Sequence, residues 1–584
     1  MLSLDTDKLR EELKAARKWR DQHLESWKEQ VNRYSGSSYR DKTEIGTSSD
    51  DPENFAYSMI GLVLPKLVYD VPRVEVEADD PIAEGFVAEI LEAAVNRWSS
   101  RSSLRKSLTR IATDMMFTWG VGLVTREPER SLRRVDPHHM GTTPRVYRVA
   151  PDHFVIDPAA DSIEEARYMG HSYAMDIEDL RDKARDDETL DHKAVENLTS
   201  SGDESEWRFK FTERREVPDR GQVIVTELWI PELEDEDHPK DGKHHGSIYI
   251  LAEGAEGIIE IISDPIPYFG PPTGPYCMFG SYCVPGDQYP LGPLTASDGL
   301  VRELNNHLKS MGQSASAYRR LVGVDARSAK LAQDIANKPD LFVVPIENLD
   351  SNQIVQMEFG GVTPQQIQYA AMTQDRLDRL TGLNEVMRGN IQGDATATEI
   401  TTASTASGVR IAWIQQQFAE AVSQVLWTIG WYLWHDDQIE LPLGREGVKI
   451  AGGQALKWKG GRKDDYAAMS IKVQAFSMQR VDEALQQKRS VELLQLVMQV
   501  GQMIPVMPFV DWRRLLEIVG DNLNMPELGR IIQSAKAAAP PPPAQAEATQ
   551  GAPSGVSPAE SVGSLLSQAN RGVGPGGPNG RAIR

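Results

Sequence analysis

The residue types that carry enzyme chemistry are present in this chain, but not in working order. Gly572-Val-Gly574-Pro-Gly-Gly577 spells G-x-G-x-x-G. Dinucleotide chemistry needs a strand before that run and a helix after it, so that a pyrophosphate can rest on the helix N-terminus. No strand or helix pattern flanks it here. Lys457 and Lys463 stand near glycines without the spacing of a phosphate-binding loop, and no G-x-S-x-G or H-E-x-x-H occurs. His138-His139 and His244-His245 are adjacent pairs, and neighbouring imidazoles rarely complete a metal site without further ligands. Cys277 and Cys283 have five residues between them and no second pair, which is no zinc motif. Carboxylates are abundant, but none pairs for acid–base work. The reading is therefore not an enzyme, with no catalytic residue, no metal and no cofactor.

What stands out instead is the stretch from Gly382 to Trp434. It opens Gly382-Leu-Asn-Glu-Val-Met-Arg388-Gly389-Asn390-Ile-Gln392-Gly393, with three glycines within twelve residues. Glycine takes positive φ without steric cost, so the segment is pliable. Behind it Ile411, Ile414, Phe418, Val422, Val425, Ile429 and Tyr432 recur every three or four residues, which places them on one helical face. One helix over 396–434 would be roughly 58 Å long at about 1.5 Å per residue. Its first half, Thr396 to Gly408, is mostly Thr, Ala, Ser and Gly. Its second half, Val409 to Trp434, is strongly apolar, and Gly408 is the expected kink.

The chain has 584 residues, 40% of them apolar and 25% charged, with a net charge of −22. That length exceeds one core, so about two to four domains are expected. The balance is that of a soluble globular protein. No run approaches the roughly 18 apolar residues that span a bilayer, and the charged helical N-terminus is not a signal peptide. The two cysteines read as free thiols. A surface this acidic argues against gripping nucleic acid with the whole exterior, because such faces are basic.

In chain order, 5–33 is an amphipathic helix carrying Leu9, Leu13, Leu24 and Trp27. Asn54–Val68 is a second helix, and 73–77 alternates like a strand. Asp80 reads as an N-cap with Pro81 at the first helical position. Leu104, Leu108, Ile111, Met115 and Trp119 share the face of a further helix. Strands are expected at 122–126, 146–150, 168–174 and 223–230, with a hairpin over 248–262, so that about 122–285 reads as a mixed α/β domain. Residues 181–219 are charged and poorly patterned. Pro285–Pro293 reads as a boundary. Leu300, Leu304, Leu308, Met311, Ala315 and Tyr318 define a helix. A small insert follows, with strands at 321–324, 341–344 and 354–358 and a short helix near 328–337. Thr363, Pro364 and Gln366 form a capping box, and the helix they start ends at Gly382. Strands at 448–450, 455–459 and 471–476 precede a helical part to about 539. The tail from Pro540 on is too rich in Pro, Gly, Ala and Ser to order itself.

That order of segments resembles the tailed-phage portal proteins. Ala150-Pro-Asp-His-Phe-Val-Ile-Asp157-Pro-Ala-Ala-Asp161 followed by Ala166-Arg-Tyr168 looks like the strand-turn segment of a portal wing. Tyr289-Pro-Leu-Gly292-Pro and the helix through Asn305 and Asn306 look like the start of the first stem helix. Gly382 through Ala395-Thr-Ala-Thr-Glu399 looks like the end of the second stem helix, the tunnel loop and the start of the long kinked helix. The similarity spans about 5–540; the tail is no fixed family feature, and 181–219 has no obvious counterpart.

The resemblance implies an α+β multidomain portal fold of wing, stem, clip and helical crown. The wing would be 1–285 with strands from 437–478, and the first stem helix 286–319. The clip would be 320–362, the second stem helix 363–382, the tunnel loop 383–395 and the long helix 396–436. The crown would be 479–539 and the disordered tail 540–584. The family forms a ring, usually a dodecamer, at the unique capsid vertex of the virion, after assembly in the host cytoplasm. Double-stranded DNA passes through that ring without sequence preference during packaging and ejection. Its partners are the terminase large subunit, head–tail adaptor proteins and the major capsid and scaffold proteins, with no membrane. Arg388, Asn390 and Gln392 of the tunnel loop would touch DNA, since phosphate contacts carry no sequence information. Arg319, Arg320, Arg327 and Lys330 of stem and clip would screen phosphate charge. Gly382, Gly389, Gly393 and Gly408 would act as hinges. The alternative is another phage assembly protein, a scaffold or connector, that uses the same helices only for packing.

Overall fold

The computed structural model describes residues 6–35, 54–80, 84–128, 141–186, 189–199, 221–231, 242–254, 259–324, 354–359, 361–382 and 397–478, apart from 451, 453, 463–465, 475–476. All of these fall in the first of two compact units, which ends at Asp482; the second, Glu483–Arg584, lies outside the described residues.

Helices α1 (Thr6–Ser35), α2 (Phe55–Leu67), α3 (Gly85–Arg101) and α4 (Leu104–Phe117) come first, with strand β1 (Val74–Ala78) before α3. Strands β2 (Gly120–Pro128), β3 (Thr142–Val149), β4 (Phe154–Ile156) and β5 (Met169–Asp176) lead to α5 (Ile177–Asp186) and α6 (His192–Asn197). Then come β6 (Gln222–Ile230), β7 (His244–Glu253), β8 (Ile259–Ile261), β9 (Ile266–Phe269), β10 (Tyr276–Phe279), β11 (Tyr282–Val284) and β12 (Asp287–Leu291). Helix α7 (Pro293–Ser316), strands β13 (Arg319–Val324) and β14 (Ile354–Phe359), and α8 (Pro364–Thr381) precede α9 (Ala397–His435). The chain continues through β15 (Glu440–Pro442), α10 (Gly444–Ile450), β16 (Lys457–Lys459) and β17 (Met469–Val473).

The fold is α+β, and the strand pairs are antiparallel. A six-stranded sheet runs β4-β5-β6-β7-β8, with β9 also on β7. Successive side chains of β6 point to opposite faces. Leu228 and Ile230 pack with Leu9, Leu13 and Ala16 of α1. Val223 and Val225 pack with Leu180 and Val195 of α5 and α6. The sheet is thus covered on both sides. The second half of α1, through Leu24 and Trp27, joins the main core, where α2, α3, α4 and α9 meet the sheet β10-β2-β3. β17 pairs with β1 across Val74↔Val473 to Ala78↔Met469.

Several expectations are corrected. The helix after Asp80 begins at Gly85 with Glu84 as its cap, and the Asp80 carbonyl accepts from the Glu84 amide. Trp119 lies beyond α4, which ends at Phe117 with Thr118 as its C-cap. It is buried all the same, stacked on Tyr289 at 4.3 Å. Gly120 follows because a Cβ there would stand 2.5 Å from the Ile111 carbonyl oxygen. The stretch 285–293 holds the turn and second strand of the β11–β12 hairpin, which runs into α7. Val448–Ile450 is helical, not a strand. Within 181–219 the helix α6 forms, capped by the Asp191 carboxylate on the amides of Lys193 and Ala194. The expected elements at 328–337 and 341–344, and those from 480 on, lie outside the described residues.

Candidate functional site

The hairpin of α7 and α8 is built at its base and bare at its far end. Gly292 caps α7, with Pro293 at the first position. A side chain at Gly292 would meet the Phe117 backbone at 2.4 Å, so α7 starts where only glycine lets it touch the end of α4. Asp298, buried, accepts from Arg33 at 2.6 Å and from Arg302 at 2.7 Å, which ties α7 to α1. Going outward, buried positions end at Asn305 in α7 and begin again at Ala370 in α8. Between them the two helices touch through the Tyr369 hydroxyl on Glu303, 2.6 Å, and the His307 ring edge on Tyr369, 4.6 Å. The capping box at Thr363 and Gln366 is present. Gly361 donates to the Ser314 carbonyl at 2.9 Å where the pair opens into β13 and β14.

Along α8, Ala370, Thr373 and Leu377 are the buried face. Ile367, 55% exposed, stands on one flank of it, and Tyr369 and Leu380 on the other. Met372, 48% exposed, faces outward. Tyr369 belongs to the seam with α7, so Ile367, Met372 and Leu380 are the large apolar side chains of α8 left exposed.

Gly382 ends α8 with φ 73° and ψ 11°, its amide donating to the Asp378 carbonyl. This is the left-handed cap that glycine adopts without a Cβ penalty. Arg388, Asn390 and Gln392, together with Gly389 and Gly393, lie outside the described residues, as do Arg327 and Lys330. Arg319 and Arg320 open β13, opposite Phe359 and Glu358 of β14. Helix α9 runs unbroken through Gly408. Of the expected polar contact residues only Arg319 and Arg320 fall in a described element, and the structure describes the frame on either side of 383–396.

That frame is firm at its far end. Ile411, Ile414, Phe418, Val422, Val425, Ile429 and Tyr432 of α9 are all buried in the main core. Just after α9, Asp436, 1% exposed, takes Arg126 through two bonds at 2.7 and 3.2 Å and the Thr142 hydroxyl at 2.5 Å. Arg126 and Thr142 belong to the neck of the β2–β3 hairpin. Arg462 stacks over Trp434 and Trp458 at 5.3 and 4.7 Å. Sequence reasoning missed this clamp, because 310 residues separate Arg126 from Asp436.

A cavity of about 660 Å³ opens between β2–β3 and β5–β6, lined by Glu127, Tyr147, His153, His171, Tyr173 and Glu227 among others. Tyr147 donates to Glu127, and Tyr173 to Glu227 at 2.8 Å. Burial lowers His153 to about 4 and lowers His171 too. Both imidazoles are therefore neutral at pH 7. Cys277 is buried, with its thiol pushed up to about 12 by burial, and Cys283 is exposed; both are free. Among the described residues no three His, Cys, Asp or Glu side chains converge as metal ligands do, and no helix is long and apolar enough to cross a membrane.

The turn after β4 is the other ordered motif. Asp157, 1% exposed, holds Arg167 at 2.6 and 3.1 Å and the Ala159 amide at 2.9 Å. Burial works against its charge, but these hydrogen bonds outweigh burial and keep the carboxyl below its usual range. Tyr168 donates to the Glu12 carbonyl and locks the turn onto α1.

Residues 103–237, which contain this turn, match the model of a family described as phage SU10 portal protein. The portal resemblance read from the sequence therefore has a family match over these residues. The portal match runs from α4 to β6 and includes the wing-like segment 150–168; the stem-like and loop-like segments lie outside it. No curated protein matches the chain. Among solved structures it is similar to a chain described as "Virion of native gene transfer agent (GTA) particle". The identity is 9% and the TM-score 0.36, covering 78% of this chain and 89% of that one.

Proposed function

We propose that this chain is a phage portal protein. In this reading it builds a ring, usually of twelve copies, at the unique vertex of the capsid, through which double-stranded DNA passes during packaging and ejection. The observation that carries the reading is the α7–α8 hairpin: two helices rooted at one end, with Ile367, Met372 and Leu380 of α8 exposed, leading through a left-handed glycine into a long anchored helix. A single copy leaves those side chains in water. A closed ring offers each hairpin a neighbour on either side, so one surface pattern repeated about an axis satisfies every copy. The family match over 103–237 supports the same reading.

The parts then take these roles. Residues 1–285, completed by 437–478, form the wing, and the β1–β17 pairing is what one domain built from distant segments requires. The stem is 286–319 and 363–382, the clip 320–362, the tunnel loop 383–395 and the crown 479–539. Arg388, Asn390 and Gln392 touch passing DNA, with Arg319, Arg320, Arg327 and Lys330 screening phosphates from stem and clip. Gly382, Gly389 and Gly393 supply the bends around the loop, and Gly408 is a point at which the continuous α9 can flex. A net charge of −22 favours release over retention of DNA. The partners are the terminase large subunit, then head–tail adaptors, with capsid and scaffold proteins on the wing. The role is structural and needs no cofactor.

Electron microscopy of the purified chain tests this: rings with a central opening are expected. Deleting 383–395 should leave rings intact while DNA packaging or retention fails. A chain that stays monomeric under assembly conditions is not a portal, and one that loses assembly with the deletion is a scaffold-type protein instead.

A further inference from the structure

Arg410 is the only basic residue between Ala397 and Trp434, on a helix whose second half carries the core seam. Its guanidinium reaches across to the end of α8 and donates to the carbonyls of both Arg379 and Leu380. The last four carbonyls of a helix have no partner within it. In α8 the Gly382 amide takes Asp378, and Arg410 takes the next two. A cation there also meets the negative end of the helix dipole. One turn earlier, on the inner side, Leu377 is fully buried in the cluster that holds Ile411 and Ile414. The extensive packing of α8 is along α7. Among the described residues, the join between hairpin and long helix includes an apolar contact inside and Arg410 outside. Trp413, one turn along α9, adds a bond to the Ser281 carbonyl at 3.1 Å, which fixes the same stretch of α9 against the start of β11.

We propose that Arg410 is a positioning residue: it clasps the C-terminal end of α8 onto α9 and so sets the angle at which the hairpin leaves the body. This rests on the portal reading for its consequence, because a ring closes at one size only if every hairpin leaves at one angle. Both bonds leave from one nitrogen, Nη1; a lysine ammonium keeps the charge but presents it as a point charge on a different stem.

Hydrogen exchange on the full-length chain and native mass spectrometry of its assemblies test this together. In Arg410→Ala, amides at 378–382 should exchange on the order of fivefold faster, the scale of a lost helix-end contact, while those of Phe418 to Trp434 stay as they were. Arg410→Lys should fall between. Arg379→Ala removes a cation 78% exposed on the same turn, paired only along its own helix with Asp375. It should leave exchange and ring size unchanged. Ring size should be single in the parent and spread over neighbouring sizes in Arg410→Ala. Unchanged exchange at 378–382, an equal effect from Arg379→Ala, or an unaltered ring size would each overturn the proposal. A parent that forms no rings removes the portal reading, and the exchange arm then still decides whether Arg410 holds α8.

Discussion

Asp114 and His153 face a shared buried polar cluster and titrate in opposite senses. Asp114 on α4 is bonded to Arg148 on β3, with Asp152 nearby. Burial lifts its carboxyl from 3.8 to about 6 against the pull of Arg148. Such a group contributes stability that is whole below its unfolded value and is lost as pH rises through about 6. His153, beside Arg20, Arg148 and His171, is lowered from 6.5 to about 4, chiefly by burial. Its contribution is whole above the unfolded value and is lost as pH falls through about 4. Between those limits the two offset one another. Thermal unfolding should therefore show the parent's margin over Asp114→Asn to be larger at about pH 4.5 than at about pH 7.5. Its margin over His153→Gln should run the other way. Margins that change with pH in the same direction would refute this assignment.

At the scale of the element, α9 should respond very differently along its length. Phe418 is fully buried against Phe279, ring centres 5.3 Å apart. Phe418→Ala should cost about 3–4 kcal/mol in denaturant unfolding, from lost transfer energy and the cavity left behind. Val409 is 66% exposed, and Val409→Ala should stay within about 0.5 kcal/mol. At the other end, Asp436→Asn keeps the shape of the clamp but takes the charge from a nearly fully buried acceptor. With Arg126 only partly buried, a loss of about 2 kcal/mol is expected. Thr142→Val should cost about 1 kcal/mol, the net worth of one hydrogen bond. A double-mutant cycle of Arg126 and Asp436 measures their coupling directly, and additive effects would mean the contact carries no energy.

For the whole molecule, the question is what covers the flanks of the α7–α8 hairpin. Ile367→Glu combined with Met372→Glu should leave circular dichroism and unfolding of the single chain unchanged to about 0.5 kcal/mol, because both side chains already face water. Light scattering should nevertheless show assembly abolished, since each copy would then bring two buried, unpaired carboxylates to its neighbours. Assembly as large as the parent's would place the contact elsewhere on the surface.

The amino-acid sequence by itself determined what is local. The seam of α9, the capping box at Thr363, the left-handed end at Gly382 and the alternation through β17 all follow from periodicity and from glycine or threonine chemistry within a few residues. Short apolar runs were not legible: Val448–Ile450 fits strand and helix alike, and its neighbours in space chose helix. Nor were pairings between distant segments, such as β10 on β2, β17 on β1, Arg126 on Asp436 and Arg410 on the end of α8. Each of these depends on which surfaces meet once loops close, and no spacing along the chain encodes that. Only the tertiary structure could show that a lone arginine in an apolar helix is spent on the carbonyls of another.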